Sequence, residues 1–174
     1  SISAEIQTVK VTGAAIPNPY TTGNLDTAGI LLVGSIQFSS PYLIYGKPYT
    51  TRSANLSFAG RYSPNGNDSA FVLALLTKWN GTSRDTIASG GYATGDTAAN
   101  YSLDTVFMNY NPAYSMEVPD SELIFISSSV FRHPGAKIGS IFTVDNFAWN
   151  GLVSTGVNEI NGTANNVSIY PNPA

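Results

Sequence analysis

Eleven acids, eight bases and a single histidine carry the charge chemistry available to these 174 residues. Glycoside hydrolysis needs two carboxylates placed across a sugar, and Asp120, Glu122 and Asp145 are the acids whose settings suit that use. Both Asp120, which follows Pro119 at a strand start, and Asp145, within a late strand, have ready structural uses as well. A nucleophilic triad needs a base beside its serine. The only histidine, His133, lies in the turn sequence Phe131-Arg132-His133-Pro134-Gly135, and no Gly-x-Ser-x-Gly elbow occurs. One histidine and no cysteine leave too few ligands for zinc. No Gly-x-Gly-x-x-Gly or Walker motif cradles a phosphate. No catalytic residue is expected.

Binding chemistry has more to work with. Sugars take aromatic faces against their C–H groups and planar polar groups against their hydroxyls. Trp79, beside the Asn80-Gly81 turn and flanked by Lys78 and Arg84, is the best platform of this kind. Tyr42, Tyr45 and Tyr49 gather around Pro41, Gly46 and Pro48, in a loop suited to a binding rim. Aromatic residues also fill sheet cores, so both uses stay open for these side chains. Trp149, on the same side of its strand as Phe147, reads as core. Asn65, Asn67 and Asp68 form an oxygen-rich turn that could hold calcium, the one cofactor to consider, or could simply be a turn built of Asx and Gly residues.

Composition narrows the class further. Charged residues are 11% of the chain, against about 25% in an average soluble domain. Solubility must rest on Ser, Thr, Asn, Gly and Tyr, a profile suited to an extracellular all-β domain. The net charge of −3 offers no basic footprint, so nucleic acid is not an expected partner. There is no run of 18 apolar residues, hence no expected membrane span. Cysteine is absent, and a sandwich of this size can stand on its core alone. Ser1-Ile2-Ser3-Ala4-Glu5 lacks the basic and apolar stretches of a signal peptide, which suggests a processed chain or an excised fragment.

The elements that must position these residues read as strands. Segments 4–12, 29–38, 48–62, 69–79, 86–92, 101–110, 122–131 and 140–149 are alternating or apolar, with turn signals between them. Residues 70–78 are the best alternative helix, but turns on both flanks leave only strand length between them. Eight strands without intervening helices predict an antiparallel β-sandwich, a jelly roll of the carbohydrate-binding-module kind, over residues 1–150. Residues 151–174 are small and polar and read as a linker.

That linker ends in Ser168-Ile169-Tyr170-Pro171-Asn172-Pro173-Ala174. The segment resembles the opening of the C-terminal sorting domain of cargo of the Bacteroidetes type IX secretion system. The resemblance implies export to the cell surface or medium, with the secretion machinery as a partner. Further motifs are Gly46-Lys47-Pro48-Tyr49-Thr50-Thr51-Arg52, Asn67-Asp68-Ser69-Ala70, Leu76-Thr77-Lys78-Trp79-Asn80-Gly81 with Arg84-Asp85-Thr86-Ile87, Pro119-Asp120-Ser121, and Gly139-Ser140-Ile141-Phe142-Thr143-Val144-Asp145-Asn146. In this order and spacing they resemble a carbohydrate-metabolism domain family of Bacteroidetes, a galactose-binding-like sandwich. The chain departs from that pattern at Asp145-Asn146, where relatives often carry paired acids, and lacks an expected opening strand before Ser1. Asp followed by a hydroxyl residue and a small or apolar residue recurs, and resembles an O-glycosylation site of exported Bacteroidetes proteins. It would place glycans on Thr27, Ser69, Thr86, Thr97 and Thr105. The expected function is a non-catalytic carbohydrate-binding or accessory module of a secreted or surface protein. The alternative is a structural or adhesive domain packed against neighbouring surface modules.

Overall fold

Eight principal strands fold into two antiparallel sheets in a computed structural model that describes residues 3–10, 16–17, 24–25, 27–37, 43–129 and 136–155. In chain order they are β1 (Ala4–Gln7), β2 (Ile30–Val33), β3 (Asn55–Ser63), β4 (Ala70–Trp79), β5 (Arg84–Thr94), β6 (Ser102–Phe107), β7 (Ser121–Ser127) and β8 (Ile141–Asn150). One sheet has the order β1-β8-β3-β6. The other, six-stranded, runs from Asn109–Tyr110 through β5, β4 and β7 to β2, with Lys47–Pro48 also paired to β7. The pairs β1·β8, β2·β7, β3·β6 and β4·β5 are nested like brackets in the sequence. That nesting is the jelly-roll topology, with both faces of the sandwich built from strands distant in sequence.

Alternation decides which face each strand buries. In β3, Leu56, Phe58 and Tyr62 point inward, and in β4, Ala70, Val72, Ala74 and Leu76 do. Phe142 and Val144 of β8, Ile124 and Ile126 of β7 and Val106 of β6 complete the core. Each fully buried large side chain here contributes about 1.5–3 kcal/mol. Phe58 stacks on Phe147 with ring centroids 5.3 Å apart and meets Phe142 edge-on at 6.3 Å. Residues 70–78 are strand, because β4 lies between β5 and β7 and pairs with both over residues 71–77.

Four expected strands break: 29–38 is interrupted at Gly34, and 101–110 at Met108, where Ser102–Phe107 pairs in one sheet and Asn109–Tyr110 in the other. Residues 48–62 were expected to run as one strand; instead, Lys47–Pro48 pairs β7 in one sheet while β3 starts at Asn55 in the other. The segment between them crosses from sheet to sheet, which buries Arg52 and Ser53. The first strand is interrupted at Thr8, whose hydroxyl meets Ser128 Oγ at 2.7 Å, before Val9–Lys10 pairs with Thr27–Ala28. Gly29 permits this close passage, since a Cβ there would lie 2.6 Å from the Gln7 carbonyl oxygen.

Asp68 closes the end of the sandwich where β3 turns into β4. Its side chain is 1% exposed. Oδ1 accepts from the Ser69 amide at 2.8 Å, and Oδ2 accepts from Ser140 Oγ at 2.7 Å, the Lys137 amide at 3.0 Å and Ser129 Oγ. Burial alone would raise the Asp68 pKa, but the donors from Ser129, Ser140, Lys137 and Ser69 outweigh it and hold the carboxyl below its ordinary value. Beside it, burial pushes the Tyr62 phenol up to about 12, opposed by Ser140 and aided by the Asp68 charge. Tyr62 donates to the Ser128 carbonyl at 3.0 Å.

A depressed carboxyl stabilises the fold above its unfolded pKa, and that stability drains away as pH falls through the folded value. Asp68→Ala should cost about 3 kcal/mol, by leaving buried donors unpaired. Urea denaturation at pH 7 and pH 3 checks both points. The wild type should lose stability between them, and the difference between wild type and variant should shrink at pH 3.

Candidate functional site: the hollow at Trp79

The β4–β5 hairpin overhangs one end of the sandwich. Its loop is four residues long, closed by the Asn80 amide donating to the Ser83 carbonyl at 3.0 Å. Asn80 Oδ1 accepts from the Thr82 and Ser83 amides, and Gly81 takes φ +100°, a conformation that favours glycine. The strand therefore returns at Arg84, two residues earlier than expected. A bulge between Leu76 and Thr77 sets Ile87 and Ala88 side by side in the interior.

Facing the hairpin is the segment 111–118. Asn111 donates its amide to Ile87 O at 2.9 Å and caps the short 3-10 turn Pro112–Tyr114 through its side chain. Between hairpin and segment lies a surface hollow of about 160 Å³ lined by Lys78, Trp79, Asn80, Asp85, Ile87, Tyr114 and Glu117. Trp79 stands at its rim, 50% exposed. Lys78 pairs with Glu117, and Asp85 Oδ1 accepts from Asn80 Nδ2 at 3.0 Å. The lining offers one exposed indole, one partly exposed phenol and planar polar groups of both signs. That combination grips a polyhydroxylated ring by stacking on one face and hydrogen bonds at its edge.

The residues singled out in the sequence separate in space. Trp79 and Lys78 meet at the hollow, but Arg84 does not line it. Arg84 instead pairs with Asp120 at 2.7 Å and reaches Thr77 Oγ1 at 3.3 Å. Arg84 is the cross-strand partner of Trp79, but its guanidinium turns to Asp120 and Thr77 and away from the hollow. Tyr49 does not join a rim: it packs against Trp149 at 5.3 Å and its hydroxyl meets Ser53 Oγ at 2.5 Å. Tyr45 ends a short strand, Leu43–Tyr45, and Tyr42 lies outside the described residues. Trp149 and Phe147 pack on the core as expected.

Calcium had been considered at Asn65, Asn67 and Asp68, but the chain's own donors take up the Asp68 carboxylate. Asn65 uses its side-chain amide on the Ile138 carbonyl at 2.7 Å. No group of three or more His, Cys, Asp or Glu suited to a metal occurs among the described residues. Of the hydroxyls in the recurring Asp motifs, Thr86 and Thr97 are exposed, while Thr27, Ser69 and Thr105 are half-buried. His133 and residues 156–174, the Tyr-Pro-Asn-Pro-Ala segment included, lie outside the described residues.

Each acid singled out in the sequence is engaged by a partner within the chain. Glu122 accepts from Trp149 Nε1, and Asp145 accepts the Asn146 amide at 2.7 Å within a bulge where Asn146 has φ 54°. Burial would raise the Asp120 pKa, but the Trp79 amide, Arg84 and Lys78 outweigh it and hold the carboxyl below its ordinary value. A general acid needs the opposite shift. The lining acids Asp85 and Glu117 are engaged by Asn80 and Lys78. Glu117 and Tyr114 were not legible from sequence, since nothing local links them to Trp79.

One buried cation holds the far wall. Arg52, 6% exposed, donates through Nη1 to the Glu117 carbonyl at 2.5 Å and the Tyr114 carbonyl at 3.3 Å, and lies 4.1 Å from the Tyr110 ring centroid. Among the described residues its Nε has no hydrogen-bond partner. Losing two charge-assisted bonds should raise amide hydrogen exchange across 112–117 in Arg52→Ala by about tenfold or more. Exchange mass spectrometry should show this rise while the β4·β7 ladder keeps its protection.

Comparison with known proteins yields a fold rather than a family. No family model matches the chain, and no curated protein matches it. Crystal structures of two putative glycoside hydrolases are similar in fold. One, from Bacteroides vulgatus, has TM-score 0.61 at 15% identity, covering 84% of this chain and 71% of that one. The other, from Bacteroides thetaiotaomicron, has TM-score 0.56 at 14% identity, covering 73% of this chain and 48% of that one. The chain thus spans about half of the second protein. At such identities the likeness is one of fold: an all-β sandwich also found in these Bacteroides proteins.

Proposed function

We propose that the chain is a non-catalytic carbohydrate-binding or accessory module that takes a sugar in the hollow at Trp79. The observation that carries this reading is the half-exposed indole over a hollow whose other walls are Lys78, Asn80, Asp85, Tyr114 and Glu117. A half-exposed indole keeps one face free to stack on the C–H face of a sugar. The similar fold of two Bacteroides proteins described as glycoside hydrolases supports a carbohydrate setting. So does the motif resemblance to a carbohydrate-metabolism domain family. In the same reading the Tyr170-Pro171-Asn172-Pro173-Ala174 segment addresses the protein to the type IX machinery and the cell surface. The exposed Thr86 and Thr97 are then the hydroxyls best placed to carry O-glycans.

A glycan array followed by calorimetry tests the site. Trp79→Ala should weaken binding of any captured glycan by about tenfold or more, the loss of one aromatic platform, with no change in melting temperature. Absence of binding by the wild type to every glycan, or binding unaltered in Trp79→Ala, counts against the site.

A second reading has its own support. Strand β6 is an edge of its sheet, and its outward residues Leu103 and Phe107 are 77% and 70% exposed. Such an edge suits a structural or adhesive domain that packs against neighbouring modules. Light scattering at rising protein concentration should then show association in the wild type and a monomer in Leu103→Lys/Phe107→Lys. A wild type that stays monomeric leaves the binding-module reading alone.

A further inference from the structure

The four-stranded sheet carries a second and larger hollow on its outer face. Its volume is about 280 Å³, and it is lined by Glu5, Arg61, Ser63, Thr97, Ala98, Ala99, Ile141 and Thr143. Register places the floor exactly where three strands meet in rows. Glu5, Thr143 and Arg61 are cross-strand neighbours in one row, and Gln7, Ile141 and Ser63 in the next. The segment after β5 forms the wall, tied down by the Ala98 amide donating to the Tyr62 carbonyl at 2.9 Å.

The charges of this hollow are unspent. Among the described residues the ion pairs are Lys78–Glu117 and Arg84–Asp120, so neither Glu5 nor Arg61 has a charged partner. With Thr143 between them, their Cα atoms lie two strand spacings apart, roughly 10 Å. The two side chains form no ion pair with each other, and both line the hollow. Arg61 is held by the Tyr101 ring, 5.4 Å from its centroid, and Tyr101 is itself 44% exposed. The remaining lining divides into hydroxyls (Ser63, Thr97, Thr143) and small apolar surface (Ala98, Ala99, Ile141).

From this geometry we infer a second carbohydrate site, for a neutral oligosaccharide. Arg61 donates to a pair of ring hydroxyls, Glu5 accepts from hydroxyls on the opposite edge, and the alanines and Ile141 cover a C–H face. A neutral chain is favoured because Glu5 repels an acidic one at the same place. The inference extends the carbohydrate reading of the Trp79 hollow but uses none of its residues. The sites are far apart: β5 runs from Arg84 beside the first to Thr94 just before the wall of the second, roughly 30 Å at the rise of a strand. A module with two such sites would hold a polysaccharide at both ends of the sandwich and gain avidity from it.

Amide chemical-shift mapping with cellohexaose, xylohexaose, mannohexaose and hexagalacturonate tests this in the wild type and Trp79→Ala. At least one neutral chain should shift residues 5, 61, 63, 97–99, 141 and 143 in both proteins. Arg61→Ala should raise its Kd at that site by about tenfold or more and Glu5→Gln by a smaller factor, with melting temperatures unchanged. Shifts confined to the Trp79 hollow, or none from any neutral chain, overturn the second site. Shifts there from hexagalacturonate alone overturn the neutral class. Shifts there without any at Trp79 uphold this site while the first fails.

Discussion

Every functional feature of this domain hangs on the apolar contact between the inner faces of β3 and β4. Leu56, Phe58 and Tyr62 on one sheet and Val72, Ala74 and Leu76 on the other are each almost wholly buried. Because strand side chains alternate with a period of two, seating those residues inward fixes every other residue of both strands. Arg61 must face outward on β3. One residue of slip in β3 would place Arg61 in the interior.

The low charge content makes the few ionic groups meaningful. Asp68 and Arg52 are both buried, and each is held by several hydrogen bonds that converge on its charged group. Burial costs such groups hydration, so they persist only where several donors or acceptors converge. Each sits where the chain leaves a sheet: Asp68 at the β3–β4 turn, Arg52 in the crossing before β3. They fasten loops that the apolar core cannot reach. Through Arg52 this fastening extends to Tyr114 and Glu117, so the shape of the Trp79 hollow depends on a residue that does not line it.

The two hollows differ in how they are made. At Trp79, a hairpin longer than the core and a capped 3-10 turn enclose space beyond the end of the sandwich. On the outer face, three strands in register supply a floor and a single loop supplies the wall. The first is shaped by loops held by hydrogen bonds, the second by the sheet itself.

By itself the sequence determined what local rules govern. Alternating or apolar runs marked the eight strands but not all of their ends, and the shortage of charge together with absent helical periodicity marked a sandwich. The exposure of Trp79 was legible because an aromatic beside an Asn-Gly turn has little core to enter. Lys78 lines the same hollow, whereas Arg84 turns to Asp120, a partner that chain proximity does not reveal. Tertiary structure alone decided the rest, for a physical reason common to all of it. Glu117 and Tyr114 reach Lys78 and Trp79 across a gap of more than thirty positions, and Glu5 meets the row of Thr143 and Arg61 only through β8. In a nested fold, partners are set by the pairing of distant strands. No local pattern records that pairing, and so the site was visible in its platform and invisible in its walls.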